Sequence, residues 1–341
     1  MTTEIALQQA AVSAADKAAI KAIKSGIRQA GRDVREQYPW LRFQNSIGLG
    51  IMLFSLLGML ASGYGYVAGW WPAWVTLIVT AIFASFIHEL EHDLIHEQYF
   101  QKQPWVQHIM YALGWIARPS TINPWIRKRI HLLHHKISGT NGDLEERGIT
   151  NGYRWGLVRF ICLFDGMAAV FIRTLRNIPN GKKMSFSLLG GLVSYFPMGF
   201  IHWGLWWAFL AYQISVLVGA PLAYSPEFLA TLNLLMVVWV GPNLIRSFSL
   251  HFVSSNMHYF GDIEKGNFLK QTQVWTAWWM WPLQLFCFNF GSTHAIHHFI
   301  VGEPFYVRQL TARRAHQVMR ENGVRFNDYQ SFRRANRWAM T

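Results

Sequence analysis

Residues 72–96 read PAWVTLIVTAIFASFIHELEHDLIH, and this stretch decides what kind of fold the chain adopts. From Pro72 to Ile87 no side chain carries a charge, and from His88 ionisable groups crowd in. The run over about 72–95 approaches the ~20 residues a helix needs to cross a bilayer. Ionisable groups at the end of such a crossing are expensive and usually functional. The stretch therefore predicts a membrane helix that terminates in a site.

Working outward, a first apolar run covers about 47–69, and the link GYGYVAGWWP carries no charge. It suits a tight hairpin, with Trp70, Trp71 and Trp74 at the membrane interface. A longer apolar region runs from 186 to about 250 and is divided by APLAYSPEF at 220–228. The spacing predicts four crossings arranged as two hairpins. Composition agrees: 52% of residues are hydrophobic, 17 are Trp and only 14% are charged, against about 25% in soluble domains.

The remaining segments are polar and basic. Residues 4–36 read as an Ala-rich helix with Ile20, Ile23, Ile27 and Val34 near one face. It resembles an interfacial amphipathic helix, and a solvated helix has nearly equal claim. Residues 97–185 hold short apolar pieces, WVQHIMYALGWIA and GLVRFICLFDGMAAVFI, read as helices lying on or dipping into the membrane. WTAWWMWPLQLFCFNF near the C-terminus reads as another interfacial helix. The expected organisation is a cytoplasmic amphipathic segment over 1–46, a four-helix membrane domain over 47–305 and a basic cytoplasmic tail over 306–341. The fold class is all-α integral membrane, with interfacial helices and a metal-binding cap.

The net charge is +13. No Lys or Arg falls in 47–96 or 186–245, so the basic residues occupy the three segments that two hairpins leave on one side. The positive-inside rule makes that side the cytoplasm. The charge then faces anionic lipid or an acidic partner, and no nucleic acid is needed to explain it. The two cysteines, Cys162 and Cys287, form no CxxC pair, which argues against a zinc ribbon or disulfide framework. Residues 1–46 contain no signal-peptide core.

Three histidine clusters lie on this polar side. They are His88 and His92 in HELEH, His131, His134 and His135 in HLLHH, and His294, His297 and His298 in HAIHH. Positions i, i+3 and i+4 share one helix face, so each cluster aims two or three imidazoles at one point. Imidazole ligates Fe, Zn, Cu and Ni. Eight imidazoles exceed the needs of one metal and favour two. A histidine-lined metal transporter would spread its ligands along a path through the bilayer, whereas these clusters sit at one face.

The three boxes, in this order around two hairpins, resemble the membrane fatty acid desaturase and hydroxylase superfamily over roughly 45–305. The resemblance implies two non-haem irons, O2 as co-substrate and hydrogen removal from a long acyl or alkyl chain. It implies electrons from a separate ferredoxin or similar carrier and a fatty acid or acyl lipid as substrate. It also implies one further histidine after the fourth crossing. His258, in NMHYFG, is favoured because it resembles the HYG element of alkane hydroxylases; His251 is the other candidate. Groups expected to orient the ligands or lie beside them are Asp143, Asp262, His96, His251 and Asn256. Desaturation leads, with hydroxylation and decarboxylation of free fatty acids to 1-alkenes as sister reactions. Decarboxylation would want a cation for the carboxylate, and Arg127, Lys128 and Arg129 are the candidates.

Overall fold

The computed structural model describes residues 3–150, 153–177 and 184–339; the outermost ends of the terminal segments delimited above lie outside them. The described residues form helices joined by short loops, with isolated β-bridges and no extended strand. Four helices are long and apolar enough to cross a membrane: Gln44–Val67 (α3), Ala73–Ile95 (α4), Met198–Leu217 (α11) and the continuous stretch Pro226–Met257.

α3 and α4 form the first hairpin. Gly58 lets them approach closely, because a Cβ there would overlap the Phe83 ring. Gly69 turns the link with a φ of 73°, a conformation that only glycine adopts freely. Trp71 closes the turn by donating its indole N–H to Thr76 Oγ1 at 2.9 Å. The fourth crossing is Pro226–Leu235 (α12), a π-helical turn over Met236–Val240 and Gly241–Met257 (α13). The widened turn lies immediately before Pro242, whose ring cannot fit a regular α-helical ladder. At 32 residues this stretch exceeds what a bilayer requires. Its final turns therefore extend beyond the hairpin and carry Arg246, His251 and Asn256 into the polar end.

The third apolar region holds the expected crossing in α11 but does not form one continuous helix. Residues Met184–Tyr195 (α10) form a separate helix against Gly166–Asn177 (α9). Pro197, which lacks an N–H, separates it from α11. The Trp-rich segment is also broken: a short 3₁₀ turn over Trp278–Met280 precedes Trp281–Phe286 (α15), which carries Pro282 in its first turn. Trp278 remains 86% exposed.

The N-terminal region splits into Thr3–Gln9 (α1) and Ala14–Gln37 (α2), because Ser13 caps a new helix by accepting from Asp16 N–H at 3.0 Å. The apolar stripe of α2 does not face outward. Ile23 and Ile27 are buried with Ile296 of Phe290–Phe299 (α16) and with Ala315 and Met319 of Phe305–Glu321 (α17). The region expected as a tail thus begins with a packed helix. Arg308 of α17 is fully buried and pairs with Asp93 at 3.0 Å and Glu89 at 3.3 Å on α4. The Phe305 N–H donates to Asp93 at 2.7 Å.

Removing one partner of a buried ion pair costs about 3–5 kcal/mol, because a charge is left uncompensated. Arg308→Ala should lower the apparent thermal midpoint of the solubilised protein markedly, measured by static light scattering on heating. An unchanged midpoint would show that the α17–α4 contact does not hold the fold.

Candidate metal centre

The site is assembled from four helical elements. α4 brings His92 and, just past its end, His96. Pro124–Ile137 (α6) brings His131, His134 and His135. α16 brings His294, His297 and His298, and His258 follows α13. Each element has a local reason to start or stop where it does. α6 begins at Asn123, whose side chain accepts from Trp125 N–H at 3.0 Å, with Pro124 in the first position, a favoured N-terminal arrangement. α16 begins after Asn289, held at φ 57°, a conformation Asn tolerates through its short polar side chain. His258 is pinned in extended backbone by a bridge to Thr272, and its carbonyl accepts from Asn336 at 2.8 Å.

Two compact groups result. His92, His96, His131, His135 and His297 place one ring nitrogen each within 4.8 Å of one another, and His134, His258, His294 and His298 do the same. His297 Nε2 lies 3.0 Å from the Nε2 atoms of both His96 and His135. His298 Nε2 lies 3.2 Å from His258, 3.2 Å from His294 and 3.4 Å from His134. A neutral imidazole carries one N–H, so hydrogen bonding cannot satisfy three nitrogens that converge on a fourth. A cation can: two ligands at right angles on bonds of about 2.1 Å are separated by about 3 Å.

Three of the outward ring nitrogens are held by acceptors. His134 Nδ1 is 2.6 Å from Asp143, His131 Nδ1 is 2.7 Å from Glu145, and His258 Nδ1 is 2.9 Å from the Ser254 carbonyl and 3.3 Å from Glu146. Such partners fix the tautomer that leaves Nε2 free to ligate. Burial pushes His131, His294, His297 and His298 well below the usual imidazole range. It takes His258 to about 4 and His96 to about 3. Neutral rings are what a metal requires. At His134 burial opposes the charge, but the Asp143 carboxylate outweighs it and raises the group to about 9. Burial lifts Glu146 to about 8.

The structure places several of the expected residues outside the two groups. His88 belongs to neither group; its Nδ1 lies 3.3 Å from Arg118 Nη1. His96 takes the place expected of it. His88, His92 and His96 share one face, but each step of four residues moves about 6 Å along the axis, and α6 and α16 meet α4 at the level of the last two. His251 is likewise outside both groups, with Nδ1 3.0 Å from the Leu163 carbonyl. Asn256 does not face the imidazoles: it accepts from Arg159 at 3.0 Å and donates to the Phe252 carbonyl at 2.7 Å. Asp262 accepts the N–H groups of Trp338 and Ala339 at 2.7 and 2.8 Å, so it anchors the C-terminal segment. Glu145 and Glu146 are the partners of His131 and His258. The one sign of this was their position close behind HLLHH.

A cavity of about 840 Å³ opens against His88, His92, His131, His134 and His294. It passes Ile122, Ile130, Leu250 and Phe290 and reaches Val170 and Tyr195 on α9 and α10. Its size falls in the range of ordinary small-molecule pockets, and its walls suit an alkyl chain.

Replacing His96 and His88 separately distinguishes the two registers of the first box. His96→Ala should reduce bound metal, measured by inductively coupled plasma mass spectrometry, and His88→Ala should leave it near wild type. The reverse pattern would restore the register expected from sequence.

Comparison with characterised proteins returns no significant match. The profile of the fatty acid desaturase family does match, over residues 68–330, and spans all four imidazole-bearing elements. Together with the four apolar crossings and the histidine groups at their end, this match places the chain in the fatty acid desaturase family, as a membrane oxidoreductase of fatty acid metabolism.

Proposed function

We propose that the chain is a membrane diiron oxidase, a desaturase that places a C=C bond in a long acyl chain. The observation that carries this reading is the gathering of nine imidazoles into two groups at the head of an apolar cavity. A structural zinc site takes four ligands, often including thiolates; here the donors are all nitrogen and the two cysteines lie elsewhere. When bound, two irons would supply the O2 chemistry that removes hydrogen from an unactivated C–H bond, which no side chain performs alone.

The chain's own residues do the rest. Asp143, Glu145 and Glu146 hold the imidazoles in register. The apolar walls take up the alkyl chain and keep water from the reacting carbons. In the overall balance the substrate gives two hydrogens, an external carrier gives two electrons, two protons come from solvent, and O2 leaves as two waters. Lys17, Lys21, Arg28 and Arg32 are exposed along one face of α2, which backs onto α16. This basic face supports a small acidic electron carrier such as a ferredoxin. The distribution of Lys and Arg supports a cytoplasmic location for the site and both termini.

Hydroxylation and decarboxylation would use the same parts with a different carbon presented. Mass spectrometry of lipids, free acids and volatile hydrocarbons from expressing cells separates the three. The expected result is a new double bond, absent with His297→Ala, whose protein should still insert but carry less iron. A hydroxylated product or a shortened 1-alkene would overturn desaturation. Zinc without iron, and no O2 uptake, would overturn the oxidase reading altogether.

A further inference from the structure

The cations proposed from sequence for holding a carboxylate are already engaged or lie elsewhere. Arg127 Nη1 is 2.7 Å from Glu91, and Lys128 Nζ is 2.8 Å from Glu97. Arg129 is exposed and does not border the cavity. Two other guanidinium groups do border it, Arg147 on Leu144–Thr150 (α7) and Arg173 on α9. Neither has a carboxylate within 4 Å among the described residues. Arg173 Nη1 donates to the Gly148 carbonyl at 3.2 Å, which places its guanidinium beside the residue that follows Arg147. Arg147 stacks over the Phe260 ring at 4.2 Å. Stacking leaves the in-plane N–H groups available, and Nη1 is buried with no acceptor.

A buried N–H without a partner carries its full desolvation cost, and a buried cation without an anion carries more. Two adjacent guanidinium forks match the oxygens of a carboxylate or a phosphate. The carboxylates on the same cavity wall are not available to neutralise them. Glu145 faces His131 and Glu146 faces His258 and Ser254. The same cavity is also lined by Ile149, Cys162, Ala169 and Val170.

We infer that the cavity takes an acyl chain ending in an oxyanion, with that head group held between Arg147 and Arg173. This rests on the reading of the cavity as the acyl-chain site. The head can be the carboxylate of a free fatty acid or the phosphates of an acyl-coenzyme A, since the same forks recognise both. Neither arginine touches the imidazole groups, so both are binding residues whose loss leaves the metal ligands in place.

The test uses the full-length protein in lipid nanodiscs and an ω-diazirine laurate that crosslinks to cavity peptides on illumination. Laurate, lauroyl-coenzyme A and methyl laurate compete, and labelled peptides are quantified by mass spectrometry. Laurate or lauroyl-coenzyme A should protect the wild type. Arg147→Gln and Arg173→Gln should each weaken that protection about tenfold or more, with protection by methyl laurate and iron content unchanged. Arg173→Lys should recover part of the loss. Protection by laurate identifies a free acid, and protection by lauroyl-coenzyme A alone identifies a phosphate-bearing head. Anionic protection unchanged in both Gln variants, no protection of the wild type by either anion, or equal loss for methyl laurate would overturn the inference. Iron content and O2 uptake report separately on the oxidase reading, so its failure would be distinguishable.

Discussion

Three carboxylates buried on the last turns of α4 constrain everything around them. Glu89, Glu91 and Asp93 are each no more than 1% exposed, and no such group is tolerated there without a partner. Glu91 is met by Arg118, at the end of the helix Pro104–Ala117 (α5), and by Arg127 of α6. Glu89 and Asp93 are met from the other side by Arg308 of α17. These pairs bring α6 and α17 to the same end of α4. α17 in turn lies against α2 and α16. The helices that carry the imidazoles are thus located by charge neutralisation on a helix whose first half is apolar.

That placement sets which histidines meet. α6 approaches α4 near His92 and His96, and its three histidines divide between the groups, His131 and His135 to one and His134 to the other. α16 divides its three in the same way, with His297 on one side and His294 and His298 on the other. The repeated HxxHH spacing therefore lets one helix contribute rings to both imidazole groups. Positions i and i+4 share a face, and i+3 is displaced enough to reach the neighbouring centre. The cavity reaches both groups, since His131 and His134 border it together.

Much of this was legible in the sequence. Apolar length marked the crossings α3, α4 and α12–α13, and the exclusion of Lys and Arg from 47–96 and 186–245 gathered the polar segments at one end. The HLLHH and HAIHH boxes declared themselves by spacing alone. What was not legible depended on how helices dock. Three histidines at 88, 92 and 96 repeat with one period, so only the level at which α6 and α16 arrive can say which two take part. Asp262 and Asn256 looked like neighbours of the centre, but the fold turns them toward the C-terminal segment and toward Arg159. The helix at Phe305–Glu321 looked like a basic tail because a single buried arginine is indistinguishable in sequence from its exposed neighbours.

The central claim is that the nine converging imidazoles hold two metal ions, five rings around one and four around the other. Anomalous diffraction at the iron edge from crystals of the purified protein tests it most directly. The account predicts two peaks, one among His92, His96, His131, His135 and His297 and one among His134, His258, His294 and His298. A single peak, or a peak centred on His88, would contradict it.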